Sequence, residues 1–178
     1  IAAVGRARIY VSIHFNGGPS GLRGTETYYN GDNAGAESVK LAEALHRNVV
    51  AALGGLGHAV VDRGVKEDLL AGKPYGHFFS LRGGMPSALV EALFLSNLSE
   101  AELLLRDDAR EGLAQGYAGG ILEYFATARS LASSREGPTS SPSGSPGRSG
   151  GPLRSDGQTL PTCHGRSTHP TSAGTRSP

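Results

Sequence analysis

The 178-residue sequence contains no tryptophan and a single cysteine, Cys163. One cysteine excludes an internal disulfide framework and says little about the redox compartment. No apolar run approaches the ~18 residues of a membrane-spanning helix, so no membrane span is predicted. The chain begins with Ile1 instead of methionine. We therefore expect the natural N-terminus to be missing or removed, and the lack of a signal peptide carries no conclusion.

The C-terminal quarter of the chain lacks the residues that form a core. Residues 131–178 contain no Tyr, Phe, Ile or Val and are dominated by Ser, Gly, Pro, Thr and Arg, whereas residues 1–130 hold all eleven aromatic residues. Such a composition cannot bury enough apolar surface to offset the entropy of ordering. The sequence predicts a folded domain over residues 1–130 and a disordered tail over residues 131–178.

The charge of the chain does not indicate a nucleic-acid partner. Residues 1–130 contain 12 Lys/Arg and 14 Asp/Glu, a net charge of −2, and residues 131–178 contain 5 Arg and 2 acidic residues, a net charge of +3. The folded part has no stripe of basic residues interleaved with aromatic ones, which a nucleic-acid-binding surface requires. No nucleic-acid binding is therefore expected.

Hydrophobic periodicity predicts alternating strands and helices. Apolar residues at spacings of three and four predict one long helix over residues 34–53, and a second is predicted over residues 99–129, with Ser99 as its N-cap and a break at Asp107 and Asp108. Short β-branched and aromatic runs predict strands over residues 8–13, 25–29, 58–62, 75–81 and 87–93. This order indicates an α/β domain, with a layered mixed sheet flanked by helices.

Two segments place a chemically capable residue at the end of a predicted buried strand. Residues 11–16 read Val-Ser-Ile-His-Phe-Asn and contain His14, and residues 86–97 contain Glu91. A histidine and a carboxylate at strand ends are what a metal hydrolase site on a mixed sheet needs. We therefore expect His14 and Glu91 to lie close together.

Four ordered motifs make the chain similar to a known family. They are residues 11–16, residues 24–29 (Gly-Thr-Glu-Thr-Tyr-Tyr), residues 63–66 (Arg-Gly-Val-Lys) and residues 86–97. Their order and spacing over about residues 5–127 resemble the zinc-dependent N-acetylmuramoyl-L-alanine amidases of the type-3 family. The resemblance implies hydrolysis of the amide between the lactyl group of N-acetylmuramic acid and L-alanine in peptidoglycan, at the cell envelope or outside the cell.

The resemblance also implies residue roles. His14 matches a ligand of the family's Zn²⁺, and Glu91 matches its catalytic carboxylate, which takes a proton from the attacking water. The family's other two zinc ligands, a histidine and a glutamate, precede the segment that contains His14. Only thirteen residues precede His14 here, and they contain neither residue type. We therefore expect an incomplete amidase domain, lacking part of its sheet on the N-terminal side, that binds zinc weakly and has little or no activity.

Several other polar residues have simpler expected roles. Glu26 is expected to line the cleft or to pair with Arg23. A buried Glu91 needs a partner, such as Arg63 or Lys66. Asn16 and Asn97 are expected to cap turns, and Arg63 and Arg82 to be solvated charges or to contact peptide carboxylates. His46 is expected at the surface, and Leu93 is expected to alter packing, since the family has glycine at its position. No metal binding is expected of three residues in the tail, Cys163, His164 and His169.

Three functions are therefore weighed from the sequence. The first is a zinc amidase acting on peptidoglycan, of which this chain is a part. The second is a non-catalytic wall-binding or regulatory relative without a complete metal site. The third is an unrelated α/β module, such as a peptide-binding domain, in which His14 and Glu91 do not converge on one cleft.

Overall fold

The computed structural model of the chain describes residues 6–135, with side chains described as far as residue 130. Its elements in chain order are β1 (Tyr10–Asn16), β2 (Thr25–Tyr29), α1 (Gly35–Gly55), β3 (Asp62–Glu67), two short 3-10 helices (Asp68–Ala71 and Phe79–Leu81), β4 (Ser87–Phe94), α2 (Leu98–Leu105) and α3 (Asp107–Arg135). The tail predicted to be disordered, residues 131–178, lies outside the described part of the chain, except for the backbone of residues 131–135.

The four strands form one mixed sheet in the order β1-β4-β2-β3. Strand β1 pairs in parallel with β4, and β2 pairs in parallel with β3, whereas β2 and β4 are antiparallel. The predicted α/β class with a mixed sheet is confirmed. The central strand β4 is almost fully buried, because it has neighbours on both edges and is covered on both faces.

One face of the sheet is packed against α1 and α3. Side chains alternate between the two faces of a strand, and Ala88, Val90 and Ala92 of β4 belong with buried residues of both helices to one apolar cluster. Leu93, also fully buried, joins this core, in agreement with a packing role. This side of the sheet is thus the main hydrophobic core.

Helices α1 and α3 approach each other closely at two glycines of α3. A Cβ atom on Gly120 would lie 2.6 Å from the Cα atom of Leu45, and one on Gly116 would lie 3.0 Å from the carbonyl oxygen of Asn48. The first distance is shorter than real Cβ atoms show, and the second is tighter than most of their contacts. The glycines of α3 therefore allow the two helices to pack directly on each other.

The other face of the sheet is partly covered by residues 68–81. Tyr28 and Leu89 on this face form a small buried cluster with Leu81, against which Phe78 packs. The rings of Tyr28 and Phe78 meet edge to face, with centroids 5.4 Å apart. This covering segment leaves a cleft open beside it at the ends of β1, β2 and β4.

Two predicted strands differ from the structure. Residues 75–81 contain turns and a 3-10 helix instead of a strand, because the Arg82 guanidinium donates hydrogen bonds to the carbonyl groups of Tyr75 and His77 and folds the segment back on itself. The strand predicted over residues 58–62 begins only at Asp62 and continues to Glu67. Pairing with β2 decides its position.

The helices are close to the prediction. Helix α1 spans Gly35–Gly55, and the break predicted at Asp107 and Asp108 is confirmed, since Arg106 has an extended backbone between α2 and α3. Ser99 is not the N-cap; the side chain of Asn97 accepts a hydrogen bond from the amide of Glu100 at 3.3 Å instead. Within residues 6–135, no helix is long and apolar enough to cross a membrane.

Candidate active site

His14 and Glu91 lie next to each other on neighbouring strands. They are register partners in the parallel pair of β1 and β4, and both side chains point to the face opposite the helices, as the alternation of each strand requires. The side chain of His14 is exposed and that of Glu91 is partly buried. The expected proximity of the two residues is confirmed.

The carboxylate of Glu91 has little support from other side chains. Its Oε2 atom is buried and, within residues 6–135, accepts no hydrogen bond. Burial raises the pKa of the Glu91 carboxyl above its ordinary value; the charge of Glu26 raises it further, whereas the charges of His14 and Lys73 lower it. The proton affinity of this carboxylate is therefore increased, as a general base requires.

Glu26 is the second carboxylate on this face and is firmly held. It lies opposite Glu91 in the antiparallel pair of β2 and β4 and is 4% exposed. Its Oε2 atom accepts hydrogen bonds from Arg63 Nε and Lys66 Nζ, both at 2.8 Å. Its Oε1 atom accepts one from Asn16 Nδ2 at 2.6 Å. Burial alone would raise the pKa of Glu26, but these cationic donors lower it to about 2.

The ion pairs decide between the alternatives for Glu26, which lines the cleft as expected, and they correct the partner expected for Glu91. Glu26 pairs with Arg63 and Lys66 and not with Arg23. Arg63 and Lys66 are in turn not the partners of Glu91. The sheet register explains both outcomes, because Glu26 of β2 lies beside Arg63 and Lys66 of the adjacent strand β3. Arg63 and Lys66 are 37 and 40 residues away from Glu26 in the sequence, so no local pattern predicted this pairing.

All four motifs therefore meet at the end of the sheet. Asn16 comes from the first motif, Glu26 from the second, Arg63 and Lys66 from the third, and Glu91 from the fourth. Asn16 lies two residues after His14 and so on the same face of β1, and the register of β1 on β4 shifts between these two residues. The other polar side-chain atom of Asn16, Oδ1, accepts a hydrogen bond from the amide of Gly17 at 2.9 Å, in agreement with the predicted turn-capping role.

Of these residues, Asn16, Gly17, Glu26, Arg63 and Glu91 line a cleft with a volume of about 190 Å³. Glu26, Glu91 and Asn16 contribute polar groups to its lining, and Tyr28, Phe78 and Phe94 contribute aromatic rings. Arg63 and Lys73 reach the same cleft. Such a combination of apolar walls and a few convergent polar groups is typical of a small-molecule or peptide site.

A second buried carboxylate network fixes one end of the cleft. Glu100 is 1% exposed and accepts hydrogen bonds from the amides of Gly24 at 2.8 Å and Phe94 at 2.7 Å. His58 Nε2 lies 3.6 Å from the same carboxylate. Glu100 thus ties the start of β2 and the end of β4 to the first turn of α2, and its role is structural.

Two further histidines are held by carboxylates away from Glu91. His46 was expected at the surface, but it is 6% exposed, because it points from α1 towards the sheet and contacts Thr27 Oγ1 at 3.0 Å and Asp62 Oδ1 at 2.8 Å. His77 bridges Asp68 at 2.6 Å and Asp32 at 3.0 Å. Spacing along the chain gave no signal for either contact.

The described residues do not form a complete zinc site. Among residues 6–135, no three His, Cys, Asp or Glu side chains converge in a way that could hold a metal ion. A catalytic zinc has three protein ligands and one open position. His14 points from β1 beside Glu91, so one candidate ligand is in place, but the set is incomplete.

The comparison with known families decides the classification. A sequence profile of the family described as N-acetylmuramoyl-L-alanine amidase matches residues 1–123. The chain belongs to this amidase family. It is 34% identical over 126 residues to the N-acetylmuramoyl-L-alanine amidase LytC of Bacillus subtilis (strain 168), a match covering 70% of the chain and 23% of LytC. It is also 33% identical over 126 residues to an endolysin of Bacillus phage SPP1, covering 70% of the chain and 42% of the endolysin.

Solved amidase structures share the fold. The catalytic domain of the amidase CwlV from Bacillus (Paenibacillus) polymyxa var. colistinus is 35% identical, with a TM-score of 0.58, and the match covers 70% of this chain and 62% of that domain. An amidase from Clostridium difficile 630 is 29% identical, with a TM-score of 0.59, covering 71% and 62%. This member of the amidase family spans about half or less of the length of the curated relatives it matches.

Proposed function

We propose that this chain is part of a peptidoglycan hydrolase that cleaves the amide between the lactyl group of N-acetylmuramic acid and L-alanine of the stem peptide. The observation that carries the proposal is the carboxylate of Glu91. It lines a cleft beside His14, and one of its oxygens is buried without a hydrogen-bond partner in the described residues. Such an arrangement reduces stability and is typical of a group retained for function.

Glu91 would act as the general base. With its raised pKa, the carboxylate takes a proton from the attacking water and then gives it to the amine of L-alanine as the carbon–nitrogen bond breaks. Glu26 cannot take this role, because a carboxyl group with a pKa of about 2 that already accepts three hydrogen bonds has little affinity for a proton. Glu26 instead holds Asn16, Arg63 and Lys66 around the cleft.

Zn²⁺ is the proposed cofactor, with His14 as one ligand. When bound, zinc polarises a carbonyl group and lowers the pKa of water. Residues 6–135 supply His14 but no complete ligand set, so by themselves they do not fit a catalytic zinc centre. We expect this chain alone to bind zinc weakly and to hydrolyse little or no peptidoglycan. The family relationship supports action at the cell envelope or outside the cell.

A non-catalytic role is the second candidate. The incomplete ligand set among residues 6–135 favours a relative that retains the cleft and binds peptidoglycan peptides without cleaving them. The two candidates differ in chemistry, since only the hydrolase produces a new amino group on L-alanine.

The experiment combines end-group and metal analysis. Purified peptidoglycan is incubated with the gene product that contains this chain, and new amino-terminal alanine and new reducing sugar ends are measured. Amino-terminal alanine without reducing ends supports the amidase, and neither product supports the non-catalytic candidate. Equilibrium dialysis of the 178-residue chain should give substoichiometric zinc, and tight one-to-one binding through His14 would contradict the proposed incomplete site.

A further inference from the structure

The cleft carries more positive than negative charge. Its surroundings contain three cations, Arg63, Lys66 and Lys73, and two carboxylates, Glu26 and Glu91. Glu26 neutralises only one of the two cations that contact it. An anionic group entering the cleft therefore meets a favourable potential.

Arg63 is held in place by Glu26, and its terminal guanidinium nitrogens remain available as hydrogen-bond donors. Its Nε atom donates to Glu26 at 2.8 Å, and its guanidinium carbon lies 5.2 Å from the centroid of the Phe94 ring. Its two terminal nitrogens make no hydrogen bond to residues 6–135. The Arg63 side chain is 30% exposed. A guanidinium fixed along one edge can present its remaining donors to a carboxylate, which it binds with defined geometry.

Lys73 is the second available cation. It lies in the segment between the two 3-10 helices, is exposed, and lines the cleft together with Arg63 and Glu91. It forms no ion pair within the described part of the chain. Lys66, in contrast, is occupied by Glu26 and lies over the ring of Tyr28, with its Nζ atom 6.0 Å from the ring centroid.

We propose that Arg63 and Lys73 form a carboxylate-binding subsite in this cleft. The subsite recognises a free carboxylate of the peptide that follows the scissile amide and positions that amide at Glu91. It rests on the proposed function for its substrate class, and it assigns to Arg63 and Lys73 a role in selecting acidic over amidated stem peptides.

The test is a binding measurement that requires no hydrolysis. The probes are N-acetylmuramoyl-L-alanyl-D-glutamic acid and its diamide, which differ only in whether the glutamyl carboxyl groups are free. Binding to the 178-residue chain is measured without added zinc by NMR titration. The free acid should bind about tenfold more tightly than the diamide, or ~1.4 kcal/mol, and this ratio should fall as salt is added.

Two variants locate the effect. Lys73→Gln removes an exposed charge and should reduce the acid-to-diamide ratio to about threefold or less, whereas Lys40→Gln removes an exposed lysine of α1 and should leave the ratio unchanged. Arg63→Lys keeps a cation for Glu26 but removes the planar fork, and it should also lower the ratio.

The outcomes separate the subsite from the proposed function. Equal binding of the acid and the diamide to the wild-type chain overturns the subsite and leaves the proposed amidase reaction intact. An unchanged ratio in both cleft variants also overturns it. Binding of neither compound overturns both the subsite and the proposed substrate class.

Discussion

Glu26 and Glu91 are register partners on β2 and β4, yet within residues 6–135 only Glu26 forms ion pairs. The hydrogen bonds from Arg63, Lys66 and Asn16 all go to Glu26, while Glu91 Oε2 is buried with no partner in residues 6–135. Two carboxylates in one cleft thus have opposite environments. Glu26 is a structural anion, whereas the partly buried, unpaired carboxylate of Glu91 lowers the stability of the fold.

Removing the charge of Glu91 should stabilise the fold. In Glu91→Gln, a partly buried carboxylate without a partner becomes a neutral amide of similar shape, so the free energy of unfolding at neutral pH should rise by about 0.5–2 kcal/mol. Urea unfolding measures the change. Glu102→Gln, at an exposed position of α2, is the control and should change it by less than ~0.5 kcal/mol. A strongly destabilised Glu91→Gln variant would show that Glu91 is a structural residue.

Removing the charge of Glu26 should have the opposite effect. Glu26→Gln leaves Arg63 and Lys66 without their anion, so we expect a loss of about 2–4 kcal/mol, less than in a fully buried pair because both cations are partly exposed. Urea is the denaturant of choice, since it does not screen charge. The matched control is Glu123→Gln, whose exposed pair with Arg47 should contribute at most ~1 kcal/mol. Equal effects of the two substitutions would contradict the assigned network.

The ion pairs of Glu26 with Arg63 and Lys66 make the stability of the fold depend on pH in the acidic range. Because the folded-state pKa of Glu26 is about 2, below the ordinary value of 4.5, its contribution to stability is fully present above about pH 4.5 and is lost as the pH falls towards 2. The difference in unfolding free energy between the wild type and Glu26→Gln should therefore shrink over this interval. A difference that stays constant down to pH 2 would disagree with the lowered pKa.

His77 should make stability depend on pH in the opposite direction. The hydrogen bond to Asp68 and then that to Asp32 raise the pKa of His77. The contribution of this bridge is fully present below the unfolded-state pKa of about 6.5 and is lost as the pH rises through the folded-state value. Asp32→Asn should move the loss to lower pH, and His77→Gln should remove it. NMR titration of the His77 ring gives the pKa directly, and an unshifted value would exclude the bridge.

The contact between α1 and α3 should be sensitive to a single methyl group. Gly120→Ala places a carbon 2.6 Å from the Cα atom of Leu45, so the helices must move apart. The free energy of unfolding should therefore fall by about 1–3 kcal/mol. In Gly112→Ala of the same helix, the nearest atoms to the new carbon belong to the flexible side chain of Leu56, with Cδ1 at 3.4 Å. It should be neutral or stabilising by up to ~1 kcal/mol, since alanine favours helix. If both variants had the same stability, the close packing at Gly120 would be wrong.

The sequence was most informative where local pattern and chemistry agree. The apolar spacing predicted α1, and two acidic residues marked the break between α2 and α3. The strand-end positions of His14 and Glu91, together with the motifs around them, predicted that the two residues meet. These features depend on residues close together in sequence, or on an order of motifs that the whole family shares.

The wrong predictions concern contacts between distant residues. Arg63 and Lys66 were expected as partners of Glu91 but pair with Glu26, because the register of β2 on β3 is set by the whole sheet. His46 was placed at the surface because its neighbours on α1 are polar, although its partners Thr27 and Asp62 come from two strands. Residues 75–81 resemble a strand in composition, but the Arg82 side chain bonds to their carbonyl groups and holds them as turns.

The most direct test of the account is the peptidoglycan-hydrolysing activity of Glu91→Gln in the gene product that contains this chain. Released amino-terminal alanine is measured for the wild type, for Glu91→Gln and for the exposed control Glu102→Gln, with the fold of each checked by urea unfolding. We expect Glu91→Gln to lose activity by about 100-fold or more while remaining as stable as the wild type or more so, and Glu102→Gln to retain full activity. A folded Glu91→Gln protein that still releases alanine at the wild-type rate would contradict the assignment of Glu91.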